Sequence, residues 1–76
     1  MDIKEFIMKF EDVFEETDLT ALEPDMPFRD LDEWSSMAAL GTMAMVSDEY
    51  DVELTAEEMR SASTFRELFE TVKSHL

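Results

Sequence analysis

The chain has 76 residues, of which 45% are hydrophobic, and it carries a formal net charge of −14. The hydrophobic fraction is sufficient for a packed core and predicts a single domain over residues 1–76. Because 20 acidic residues stand against 6 basic ones, the composition argues against nucleic acid or an anionic membrane surface as a partner and favours partners that present basic patches.

The sequence contains no cysteine, which excludes disulfides and thiolate metal sites, so any thiol chemistry must come from an attached group. The acidic, amphipathic N-terminal segment is not the pattern of a signal peptide. No run of about 18 apolar residues predicts a membrane span. We therefore expect a cytoplasmic protein without membrane insertion, which its high negative charge keeps monomeric.

Helical spacing predicts a first helix over residues 2–16, with Asp2 as its cap. Its apolar face consists of Ile3, Phe6, Ile7, Phe10, Val13 and Phe14. Aspartate and proline residues then predict a long loop over residues 17–34. Scattered apolar residues such as Leu22 and Phe28 are expected to hold this loop against the helices.

A second helix is predicted over residues 36–51, where nearly every residue up to Ser47 is apolar or small. Its interior positions are predicted to be Met37, Leu40, Met43, Ala44, Val46 and Tyr50, with Ala38, Gly41 and Met45 on a second stripe. Capping boxes at residues 55–58 and 64–67 predict a short third helix to Ala62 and a fourth to Ser74. The expected fold is all-α: a small four-helix bundle with a short third helix and a long first loop.

Few side chains form a pattern that is typical of catalysis. The only histidine, His75, is next to the last residue, so we predict a solvated terminal side chain and no Ser/His/Asp triad. Asp30, Asp32 and Glu33 resemble a fragment of a calcium loop but lack its central glycine. We therefore predict that the chain is not an enzyme and that it holds no metal.

Ser35 and Ser36 stand where the second helix is predicted to begin. The local pattern alone favours simple capping, in which one serine caps the helix and the other is a spacer. A helix start also carries partial positive charge and unpaired N–H donors. A phosphate ester on a serine at this position would therefore lie in a favourable field.

Over nearly its whole length the sequence resembles the acyl carrier protein family. The shared features are an acidic first helix, a long loop, residues 28–34 leading into the serines, residues 47–54 closing the second helix, and Thr64-Phe65 opening the fourth. In that family an Asp-Ser-Leu motif carries 4′-phosphopantetheine on its serine, and the corresponding residues here are Ser35-Ser36-Met37. The resemblance implies that Ser36 carries this arm, derived from coenzyme A, with Ser35 as the fallback.

The sequence departs from the family pattern in two places. Ser35 replaces the motif aspartate, which adds negative charge where the phosphopantetheinyl transferase and its metal bind. On the second helix, small or apolar residues stand where carriers commonly display acids, so docking is expected to use apolar contacts as well as charge. The predicted docking residues are Met37, Ala38, Gly41, Met45, Asp48, Glu49, Glu57 and Glu58. A bound acyl chain is expected to contact Ala39, Leu40, Met43, Ala62 and Phe65.

The resemblance implies a carrier that holds acyl intermediates as thioesters and presents them to enzymes of fatty-acid or polyketide-type synthesis. Its implied partners are the phosphopantetheinyl transferase and acyl-processing enzymes with basic docking patches. Two alternatives stay open: an aminoacyl or peptidyl carrier of a non-ribosomal peptide-type pathway, and an acidic helical adaptor that is never modified.

Overall fold

The computed structural model describes residues 2–76, which contain four α-helices and no β-strand. Helix α1 is Ile3–Met8 and continues as a 3₁₀ turn, Lys9–Asp12; α2 is Ser36–Tyr50, α3 is Ala56–Ser61 and α4 is Phe65–Ser74. The predicted small all-α bundle is confirmed. No helix in this part of the chain has the length and apolar character needed to cross a membrane.

Side chains at the helix starts pair the N–H groups that a helix leaves unbonded. Asp2 accepts a hydrogen bond from the Lys4 N–H at 3.0 Å, as predicted for a cap. Both predicted capping boxes also form, since the threonine and the glutamate of each box accept the other's backbone N–H. Helices α3 and α4 consequently begin where the sequence predicts.

The first helix is shorter than predicted. Regular α-helical bonding ends at Met8 and the 3₁₀ turn ends at Asp12, not at residue 16. Beyond this turn, the Glu16 N–H donates to the Glu33 carboxylate at 3.1 Å, and the Thr17 hydroxyl donates to the same carboxylate. Because these groups bond to the loop in front of α2, the chain leaves the helix earlier than its apolar periodicity indicates.

The core is aromatic and joins α1, α4 and the long loop. All six phenylalanines of the chain are buried. The ring centroid of Phe10 lies 5.3 Å from that of Phe65, and the centroid of Phe28 lies 5.7 Å from that of Phe65. Such edge-to-face and tilted pairs add stability beyond the area that they bury.

The face that helix α2 turns to the core matches the predicted one only in part. Val46 is buried as predicted, together with Ala38 and Thr42. Three predicted interior residues are exposed instead: Met37 at 76%, Leu40 at 61%, and Ala44. The fully buried residues of this face are small or β-branched, whereas Met43 and Tyr50 pack against the core only partly buried. The buried Thr42 hydroxyl is satisfied because it donates to the Ala38 carbonyl oxygen at 2.8 Å.

Gly41 lies inside α2 and faces Val13 across a small gap. A Cβ atom at Gly41 would lie 3.6 Å from Cγ2 of Val13, which is ordinary van der Waals contact. Because glycine inside a helix costs about 1 kcal/mol relative to alanine, we expect Gly41→Ala to raise the melting temperature by roughly 4–8 °C. Circular dichroism during thermal unfolding measures this change. The reciprocal control is Ala44→Gly, at an exposed position of the same helix, which should lower the melting temperature. A melting temperature of Gly41→Ala below that of the wild type would contradict the prediction.

Candidate functional site

The two serines at the start of α2 have different environments. Ser35 is the N-cap: its backbone is extended, and its Oγ accepts the Ala38 N–H at 3.2 Å. Ser36 is the first helical residue and is exposed. Within residues 2–76 no hydrogen bond engages the Ser36 hydroxyl. The capping role therefore belongs to Ser35, and the hydroxyl of Ser36 is accessible from solvent.

A cleft of about 260 Å³ opens beside Ser36. Its lining residues are Arg29, Trp34, Ser35, Ser36, Ala39, Met59 and Arg60. None of these seven residues is acidic, and two of the six basic residues of the chain are among them. The exposed hydroxyl thus borders a locally cationic cleft on a strongly anionic protein.

Arg29 forms one wall of this cleft and ties the long loop to α3. Its Nη2 donates to the carbonyl oxygens of Met59 at 2.6 Å and Arg60 at 2.8 Å, and its Nε donates to that of Ala62 at 3.2 Å. These carbonyls lie at the C-terminal end of α3, where a helix leaves acceptors unpaired and where positive charge is favourable. Sequence reasoning missed Arg29, although it is the only basic residue between positions 17 and 34.

Trp34 and Glu33 fix the segment that leads into α2. The Trp34 ring centroid lies 4.6 Å from that of Phe28 and 6.2 Å from that of Phe14. The Glu33 carboxylate accepts the Thr17 hydroxyl and the Glu16 N–H. The hydrogen bond from Thr17 is the main reason that the pKa of Glu33 is lowered. The start of α2 is thereby anchored to the end of the first helical segment.

The Glu33 contact predicts a specific pH dependence of stability. Because the pKa of Glu33 is lower in the folded chain than its ordinary value of 4.5, its contribution is present above that value and is lost as the pH falls through the folded pKa. Glu33→Gln should therefore be less stable than the wild type at neutral pH, and the difference should shrink on acidification. Urea unfolding of both proteins across this range measures the difference; a gap that widens at acidic pH would contradict the assignment.

The predicted docking residues are distributed over different surroundings. Met37, Asp48, Glu49 and Glu57 are exposed. Ala38 is only 6% exposed because it faces the core, so the prediction that it contacts a partner is corrected. Gly41 and Met45 are half-buried and line a groove of about 370 Å³ beside the 3₁₀ turn.

Glu58, another predicted docking residue, is bonded inside the chain. Its carboxylate accepts the Thr55 N–H at 3.0 Å, and its Oε2 lies 2.7 Å from Nε2 of His75. The bond from Thr55, followed by that from His75, lowers the pKa of Glu58. The prediction of a solvated His75 is corrected in part, because this side chain, although 38% exposed, contacts α3.

The residues predicted to contact an acyl chain have different surroundings. Ala39 alone among them borders the cleft beside Ser36. Leu40 is 61% exposed, so its placement between the helices is corrected. Met43 packs partly buried against the core, whereas Ala62 and Phe65 are buried within it.

The exposed Ser36 hydroxyl and the two arginines of the cleft suit a phosphate ester. A free hydroxyl can accept a phosphoryl-type group, and guanidinium groups are good partners for phosphate oxygens. Among residues 2–76, no group of three or more histidine, aspartate or glutamate side chains is arranged to hold a metal ion.

Comparison with protein-family models, with curated proteins and with solved structures finds no match for this chain.

Proposed function

We propose that the protein is a carrier that holds acyl intermediates as thioesters on a 4′-phosphopantetheine arm attached to Ser36. The observation that carries this proposal is the contrast between the two serines. Ser35 caps α2 through its hydroxyl, which leaves the exposed Ser36 without a capping role. An exposed hydroxyl beside a cleft free of acidic side chains suits a covalent tether.

Attachment would need a partner enzyme to activate the hydroxyl, because no described side chain bonds to Ser36 as a base. In the transfer, Oγ of Ser36 forms a bond to the phosphorus that bears pantetheine. The pyrophosphate P–O bond of coenzyme A breaks, adenosine 3′,5′-bisphosphate leaves, and the hydroxyl proton passes to a base of the transferase. The attached arm supplies a thiol for thioester formation, which the cysteine-free chain lacks.

The surface around Ser36 supports brief docking to enzymes with basic patches. Met37 and Leu40 offer exposed apolar contacts on α2, and Asp48 is exposed towards the end of the same helix, where Glu49 pairs with Lys9. Asp48 and the net charge of −14 would steer the encounter and increase the association rate. A tethered acyl group would then reach each docked active site at a high effective concentration. Such partners would be the acyl-processing enzymes of fatty-acid or polyketide-type synthesis.

Incubation of the purified chain with coenzyme A and a broad-specificity phosphopantetheinyl transferase tests this proposal. The intact mass should increase by one phosphopantetheinyl group, and fragmentation should map the added group to Ser36. The same mixture without transferase is the control and should leave the mass unchanged. An unshifted mass after the complete reaction would reject the carrier function and favour the unmodified adaptor, whereas a group mapped to Ser35 would move the site.

A further inference from the structure

Arg60 is a basic residue of the cleft whose side chain has no salt-bridge or hydrogen-bond partner within residues 2–76. It is exposed near the end of α3 and lines the cleft that Ser36 also lines. Within residues 2–76 its guanidinium takes part in no salt bridge and no hydrogen bond, although the chain contains 20 acidic residues. By contrast, Lys9 pairs with Glu49 at 3.1 Å and Arg66 pairs with Asp25 at 2.7 Å. The lining of the cleft therefore includes an arginine whose guanidinium has free donors, and it includes no carboxylate.

The two arginines of the cleft have different capacities for binding. The Arg29 guanidinium already donates to three backbone carbonyls, so it contributes a fixed positive charge. Arg60 is held there through its backbone, because its carbonyl oxygen accepts from Nη2 of Arg29 at 2.8 Å. Its side-chain donors remain free, and a planar guanidinium matches phosphate oxygens bidentately.

The acidic residues of the neighbouring segments do not line this cleft. On α3, the Glu58 carboxylate is bonded to Thr55 and His75, and Glu57 is absent from the cleft lining. On the loop, the Glu33 carboxylate is bonded to Thr17, and Asp32 is likewise absent from the lining. The residues that line the cleft with Ser36 therefore include two arginines and no acid.

We infer that this cleft is an anion subsite in which Arg60 binds the phosphate group of an ester on Ser36. That this ester is the phosphodiester of a pantetheine arm rests on the proposed function. The phosphorus of such an ester is bonded directly to Oγ of a residue that lines the same cleft. Arg60 thus acts as a positioning residue that turns the arm towards α3, and the fixed charge of Arg29 reinforces its attraction for phosphate.

A chain assembled by peptide ligation with phosphoserine at position 36 tests the subsite without any arm. The second pKa of a phosphate monoester is about 6, and a nearby cation favours the dianion. Arg60→Gln should therefore raise this pKa by roughly 0.2–0.7 units, as measured by ³¹P NMR during a pH titration. Lys4→Gln removes the same charge from exposed α1 and should leave the pKa unchanged. An equal pKa in the wild type and Arg60→Gln, with both folded by circular dichroism, would overturn the inference.

The enzymatically modified chain provides the second readout. Attachment should shift the Arg60 Nε–H resonance and bring the arm into contact with the Met59 methyl group, and Arg60→Gln should abolish that contact. If the chain is modified but neither the Arg60 Nε–H resonance shifts nor the arm contacts the Met59 methyl group, the subsite is overturned and the carrier proposal is unaffected. The two proposals can also fail separately. If the phosphoserine pKa is lower in the wild type than in Arg60→Gln, but the transferase does not modify the unphosphorylated wild type, the subsite is supported and the carrier function is rejected.

Discussion

Ser36→Ala should abolish attachment of phosphopantetheine and leave the fold unchanged. The Ser36 side chain is exposed and makes no hydrogen bond within residues 2–76, so its removal breaks no contact. Alanine is also the most favourable helix residue, which preserves the first turn of α2. Intact mass after incubation with transferase and coenzyme A should show no addition, while the melting temperature should stay equal to that of the wild type or rise slightly.

Ser35→Ala is the matched control because it removes the neighbouring hydroxyl. It should lose the cap on the Ala38 N–H, which costs about 1 kcal/mol, and its melting temperature should fall by roughly 4–8 °C. Its Ser36 hydroxyl remains, so the chain should still be modified. Ser35→Asp should recover the stability, because aspartate caps as well as serine. Loss of modification in Ser35→Ala with retention in Ser36→Ala would reverse the assignment of the two serines.

Helix starts could be predicted because their signals are local. The boxes of Thr55 with Glu58 and Thr64 with Glu67 lie within single turns, and Ser35 caps a donor three residues away. The end of the first helix could not be predicted in this way, because it depends on a contact of Thr17 with a carboxylate 16 residues further along the chain.

The buried face of α2 could be predicted only in part, because hydrophobic periodicity requires contrast between residues. Most residues of this helix before Ser47 are apolar or small, so hydrophobicity alone does not single out one stripe. Ala38 and Val46 are buried, whereas Met37 and Leu40 are exposed. Among the predicted interior residues, only Val46 is fully buried, so hydrophobicity alone did not identify the stripe that faces the core.

The candidate site was predictable only where its residues are adjacent. Ser35 and Ser36 follow from the helix start, but the cleft beside them brings together the long loop and the end of α3. Arg29 reaches a carbonyl 30 residues away at Met59, a separation that no local pattern encodes. The available signal was charge: Arg29 is the only base of residues 17–34, and Arg60 is the only base of α3.

Arg29→Met should produce the largest loss of stability among the variants considered, about 1–3 kcal/mol. Methionine retains much of the aliphatic packing but provides no donor for the carbonyl oxygens of Met59, Arg60 and Ala62. Two of these hydrogen bonds are partly buried, so water replaces the guanidinium incompletely. In a small domain whose total stability is of the order of 5–15 kcal/mol, such a loss should clearly lower the urea midpoint.

Two further variants separate the geometry of Arg29 from its charge. Arg29→Lys retains the charge but not the planar fork, so it should recover only part of the stability. Arg66→Met removes an arginine whose ion pair with Asp25 is exposed, and it should cost much less. Because Arg29 fixes both the end of α3 and the cleft wall, its loss should also speed hydrogen exchange at the Ala62 amide, which bonds to the Glu58 carbonyl at 3.2 Å. Equal losses in the Arg29 and Arg66 methionine variants would show that the carbonyl contacts contribute no more than an exposed ion pair, and the cleft would then lack the rigid wall on which the orientation of Arg60 depends.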